Sequence, residues 1–182
     1  MDIPKQFRPI DDPENYHQHC RVCEAELLAS GRLYCVERVV KKPWGDHPDQ
    51  VLFDFAVCLK CMDDLRKEMS QESQRTLLQY QEEMARRKTG DEEELWQDFR
   101  AERCHFSGEI PRPGETFQMI AFCQGNALFP GQVPLLVGNQ AQAEVEALLS
   151  PETKDAFDDF LGNHFGWPPE WAALLRQGKV IL

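Results

Sequence analysis

No stretch of this chain reaches the run of about 18 apolar residues that a bilayer-spanning helix needs. Its first residues, Met1-Asp2-Ile3-Pro4-Lys5, lack the basic start and apolar stretch of a secretory signal. Together these absences predict a soluble, cytoplasmic protein with no membrane partner. Positive charge is scarce as well: 20 Lys and Arg stand against 31 Asp and Glu, for a net charge of −11. Nucleic-acid backbones are polyanions and call for a basic face, so nucleic acid is a poor partner for this chain. The short basic pieces, Lys41-Lys42 and Arg86-Arg87-Lys88, read as solvated turn and helix-end residues.

Catalytic signatures are missing too. There is no glycine-rich phosphate loop with its lysine, no Gly-x-Ser-x-Gly elbow and no His-Glu-x-x-His pair. A non-enzymatic role is therefore expected. No low-complexity linker interrupts the chain. Its 42% hydrophobic and 28% charged residues are an ordinary globular balance rather than a disordered one.

What the sequence does have is seven cysteines, four of them in two Cys-x-x-Cys pairs, Cys20/Cys23 and Cys58/Cys61. Two intervening residues allow a tight turn that presents both thiolates to one ion, and two such turns complete a tetrahedral shell. In a reducing compartment this pattern favours metal over disulfides. The expected cofactor is one structural Zn²⁺ held by Cys20, Cys23, Cys58 and Cys61; a rubredoxin-like iron would suit the same four thiolates. Four cysteines close the shell, whereas a catalytic zinc keeps an open position. His17 and His19, beside Cys20, are alternative ligands by position. A thiol redox sensor is the alternative function, since Cys35, Cys104 and Cys123 lie outside the pairs.

The residues between the pairs read as a hairpin. Leu33–Val40 and Val51–Val57 are β-branched and aromatic, with turn chemistry from Lys42 to Asp49 between them. Apolar spacing at Met62, Leu65 and Met69 predicts a helix directly after Cys61. This order of knuckle, hairpin, knuckle and helix resembles the treble-clef zinc fingers over about residues 17 to 70. The resemblance implies a fold group and no activity.

The second half reads as a degraded copy of the first. At an offset of 80, Val57–Cys61 meets Val137–Ala141, Leu65 meets Val145, Met69 meets Leu149, Ser70 meets Ser150 and Tyr80 meets Phe160. At a slightly larger offset Cys20 meets Cys104, Cys23 meets Ser107, Gly31 meets Gly114 and Tyr34 meets Phe117. Three of four ligand positions are then lost, to Ser107, Gly138 and Ala141. A second, irregular site from Cys104, His105, Cys123 and His164 matches no ligand spacing.

The predicted fold class is α+β, with two related small lobes of knuckle, hairpin and helix, the first zinc-bound and the second a metal-free copy. Residues 1–90 form the first lobe with its C-terminal helix; residues 91–182 form a linking helix and the second lobe. Ser70 and Ser150 are predicted N-caps for helices over about 71–88 and 151–163. Asp91-Glu92-Glu93-Glu94 starts the linking helix, expected to pack between the lobes. The aromatic, proline-rich tail after Phe165 reads as a clamp over the core or as a partner surface, leaving a protein partner open. Biological process and oligomeric state are not written in these patterns.

Overall fold

The computed structural model describes residues 1–29, 31–87 and 90–165. The described chain is a mixed α and β structure with one small antiparallel sheet and five helices. The tail beyond Phe165 lies outside the described residues.

Strands β1 (Leu33–Lys41) and β2 (Gln50–Cys58) form the predicted hairpin. Helix α1 (Leu59–Glu68) follows at once, then α2 (Gln71–Arg87) and α3 (Glu92–Arg100). The second half supplies β3 (Thr116–Gln124), the two-residue β4 (Ala127–Leu128) and β5 (Leu135–Gly138). Helices α4 (Asn139–Ala147) and α5 (Pro151–Phe165) complete it. Two details differ from the sequence reading. Helix α1 begins at Leu59, so Cys61 lies in its first turn rather than before it. Strand β4, too short to carry a pattern, was not predicted.

The strands of both halves lie in one sheet. Its order is β2-β1-β3-β4, with β5 also pairing β3. The join is the full-length antiparallel ladder from Leu33↔Gln124 to Lys41↔Thr116. Strand β1 explains why: it is buried at every position from Tyr34 to Val40, and a strand that is buried on both faces belongs in the middle of a sheet. Helices cover one face, where Phe165 at the end of α5 meets Phe55 edge-on with ring centroids 4.7 Å apart. The N-terminal segment covers the other. There Arg38 pairs with Asp54 and also donates to the Arg8 carbonyl. Phe7 is buried and stacks on Phe99 of α3, so the linking helix packs on the N-terminal segment.

The helix layer closes on a polar cluster. Ser70 Oγ accepts from the Ser73 N–H at 3.1 Å and Ser150 Oγ from the Thr153 N–H at 3.3 Å, so both predicted caps form. The two caps also serve each other. Ser70 and Ser150 hydroxyls lie 2.9 Å apart. The Ser150 N–H donates to Ser73 Oγ at 2.8 Å and the Ser70 N–H to Thr153 Oγ1 at 3.0 Å. Ser73 and Thr153 are fully buried. Ser73→Ala therefore leaves the Ser150 N–H without its partner. We expect a loss of about 1–3 kcal/mol in urea unfolding, with Ser73→Thr less harmful.

Glu37 sits mid-ladder opposite Ile120, fully buried, and neither carboxylate oxygen has a hydrogen-bond partner. Burial pushes its carboxyl up to about 8. A native state that holds this proton more tightly than the unfolded chain is most stable at low pH on this account. Stability then falls as pH rises from the ordinary carboxylate range towards 8. Glu37→Gln should remove that slope and stabilise the fold at pH 8 by an amount on the order of a few kcal/mol, with little gain at pH 4. Denaturation midpoints at the two pH values check this.

Candidate metal centre

Local turns bring Cys20 and Cys23 to the end of the hairpin. The Cys20 N–H donates to the Ala25 carbonyl at 2.9 Å, and the Glu24 N–H donates to the Cys20 carbonyl at 2.9 Å. Glu24 takes a left-handed φ of 57° to close this turn. The Arg21 N–H donates to the Ala56 carbonyl at 2.8 Å, anchoring the turn to the outer edge of β2. Cys58 ends β2 and caps α1, and Cys61 follows in the first helical turn.

The ligand atoms of Cys20, Cys23, Cys58 and Cys61 all lie within 4.8 Å of one another. Four thiolates placed tetrahedrally at about 2.3 Å from a zinc ion lie about 3.8 Å apart. The Cys23 and Cys58 sulfurs are 3.8 Å apart, which matches that edge and is far beyond a disulfide bond. Cys20, Cys58 and Cys61 are buried and Cys23 is exposed. The Cys58 N–H donates to Cys20 Sγ at 3.3 Å. That bond and the positive end of α1 both favour negative charge on sulfur.

The protons of these thiols are unevenly held. Burial, and then hydrogen bonds to Cys58 and Cys23, push the Cys61 thiol up. Burial likewise raises Cys58. At Cys23 burial acts upward but is outweighed by the Ala25 backbone and the neighbouring thiols, so it lies below the ordinary thiol value. Crowded thiols resist successive ionisation; a divalent cation among them reverses the balance and deprotonates a coordinating thiol outright. The four cysteines are thus arranged to hold a metal ion, and the donor set suits zinc.

The other sequence candidates fall elsewhere. Among the described residues no further group of three or more His, Cys, Asp and Glu is gathered closely enough to hold a metal. The irregular set Cys104, His105, Cys123 and His164 therefore does not assemble, and His17 and His19 stand outside the four-sulfur group. Cys35 and Cys123 are buried, 2% and 0% exposed. Burial, with Glu37 adding to it, pushes the Cys35 thiol well up; burial raises Cys123 to about 12. Both behave as small core residues.

Around Cys104 the backbone bonding of the knuckle is reproduced without its ligands. The Cys104 N–H donates to the Glu109 carbonyl at 2.7 Å and the Gly108 N–H to the Cys104 carbonyl at 2.8 Å. The His105 N–H donates to the Leu136 carbonyl at 2.6 Å, and the Gly138 N–H to Cys104 Sγ at 3.3 Å. Gly138 and Ala141 offer no donor atom where Cys58 and Cys61 stand in the first half.

Comparison of the chain with protein-family models, curated proteins and solved structures gives no significant match. The four-sulfur geometry is thus the main chemical pointer. Cobalt(II) added to the metal-free protein should give thiolate-to-metal charge-transfer absorption. Cys58→Ser should abolish or strongly shift it, and Cys104→Ser should leave it unchanged.

Proposed function

We propose that this chain is a non-enzymatic zinc-binding protein. One structural ion is held by Cys20, Cys23, Cys58 and Cys61, and the protein serves as a cytoplasmic protein-interaction or regulatory module. The observation that carries the reading is the mutual approach of four thiol sulfurs within 4.8 Å, three of them on buried cysteines. A closed shell of four sulfurs leaves no position for substrate or water, in keeping with a structural role. The order of knuckle, hairpin and helix supports a treble-clef arrangement for the first half. No helix of the described residues is long and apolar enough to cross a membrane.

The second half is, on this proposal, a copy that lost its metal. Support comes from spacing and bonding. Helices α1 and α4 begin 80 residues apart, as do α2 and α5. Glu37 and Ile120, 83 apart, face each other at the middle of the β1–β3 ladder. The four hydrogen bonds around Cys104 repeat those around Cys20. Apolar packing replaces the ion: Ala141, Val137 and Leu136 are almost wholly buried. The burial of Cys35, Cys104 and Cys123 withholds them from oxidants, which places the structural-zinc reading ahead of a thiol redox sensor.

Elemental analysis by mass spectrometry of the purified native protein tests the reading. One zinc per chain is expected; none with all cysteines reduced, two, or iron in its place would each contradict it. Stripping the ion with a chelator should unfold the first knuckle, since binding energy at such a site is also folding energy. Amide exchange should then accelerate at Arg21 and Cys58 before the β1–β3 ladder. Acidification should release the ion as the thiolates take up protons.

A further inference from the structure

The two outer edges of the sheet differ. In β2 the Cys58 N–H and the Ala56 carbonyl both point away from β1, towards Cys20 Sγ and the Arg21 N–H respectively. Backbone groups alternate along a strand, so the N–H and carbonyl of Asp54 point the same way. Among the described residues neither has a backbone partner on that side. The corresponding residues of β5 are Gly138 and Leu136, bonded in the same manner to Cys104 Sγ and the His105 N–H. Two residues before Leu136 stands Pro134, which has no N–H to offer, and β5 itself is only four residues long. A short strand and a proline are standard ways of blunting a sheet edge. The nine-residue β2 edge carries neither device at Asp54.

The open edge is not bare surface. It forms one wall of a groove of about 460 Å³ whose other walls include Ile10, Asp11, His17, Arg21 and Phe165. His17 Nε2 is buried and without a hydrogen-bond partner, a further orphaned polar atom at the groove. Burial holds the His17 ring below its ordinary pKa, with Asp54 acting upward and Arg38 downward, which favours the neutral ring. The two sides of the edge differ in chemistry. Phe53 and Phe55 stack on one sheet face, beside Phe165. Asp54 lies on the other face with its carboxylate already paired with Arg38, and the exposed Asp11 is also in the groove.

We propose that the β2 edge is a strand-addition site for an extended peptide segment of a partner protein, seated by backbone hydrogen bonds to Asp54. Strand addition takes its affinity from main-chain bonds and its selectivity from alternate side chains. The segment that fits alternates apolar residues, towards Phe53, Phe55 and Phe165, with basic residues, towards Asp11. This proposal rests on the interaction-module reading, while metal analysis tests the zinc site separately.

The test uses the full zinc-loaded chain and a capped hexapeptide of alternating valine and lysine as probe. Saturating peptide should slow exchange of the Asp54 amide, read residue by residue by NMR, with no matching change at Leu135 or Leu136 of β5. A peptide N-methylated at every second residue keeps charge and side chains but loses one edge of bonds. It should bind about ten- to a hundredfold more weakly. Asp54→Pro, which copies Pro134, should abolish binding; if that variant fails to fold, the methylated probe decides alone. Equal binding of both peptides would overturn the proposal, leaving only charge attraction. So would an Asp54 amide already protected without peptide, since the edge would then be closed by a second copy or by this chain itself. Failure of the valine–lysine probe to bind at millimolar concentration would overturn the stated selectivity and the site with it.

Discussion

The antiparallel ladder between β1 and β3 is the constraint on which everything else rests. It runs the full nine residues of both strands and joins the two halves of the chain into one sheet. Each half hangs its second strand on the outside of this ladder, β2 on β1 and β5 on β3. The position of the cysteine site follows. Cys58 can meet Cys20 only because β2 ends opposite Tyr34, near the start of the central strand, and because the Arg21 N–H ties the knuckle to Ala56 on the outer edge.

A shared sheet also changes what a metal at the four cysteines would do. An isolated small zinc domain depends on its ion for the whole of its fold. Here the core runs continuously from Phe7 and Phe55 through Val36 and Ile120 to Leu136 and Val137. On the proposed duplication, the second half keeps the backbone bonding of the knuckle with three of the four cysteines replaced. It reaches the same turn with a glycine at 108, where the first half uses a strained Glu24. An ion held by the four cysteines would then act locally, fixing two turns and the start of α1 to one another.

The polar groups at the centre run against simple packing. Glu37 in the ladder and Ser73 and Thr153 of the cluster are buried where apolar residues would be cheaper to place, with Ser70 and Ser150 half-buried beside them. The cluster satisfies its hydroxyls and two backbone N–H groups by exchange across the junction of α2 and α5. That exchange fixes how the two helix pairs meet, because a shift of either strands both donors. Glu37 has no such compensation.

Much of this was legible in the sequence. The two Cys-x-x-Cys pairs fix the ligand set through spacing, since only a tight turn brings two thiolates to one point. The strands around 33–41 and 50–58 and the serine caps follow from β-branched runs and from the need to satisfy helix N–H groups. The Ser150 cap marked where α5 begins. Other features depended on chain segments far apart. Which strands pair depends on contacts between residues some 80 positions apart, and local patterns carry no record of them. The sequence therefore suggested two lobes where β1 and β3 make one sheet. The burial of Glu37, the Arg38–Asp54 pair and the groove along β2 were equally out of reach, because each is made by elements that meet only in the folded chain. Composition and spacing set the chemistry of the site; the central ladder set where it stands and what lies beside it.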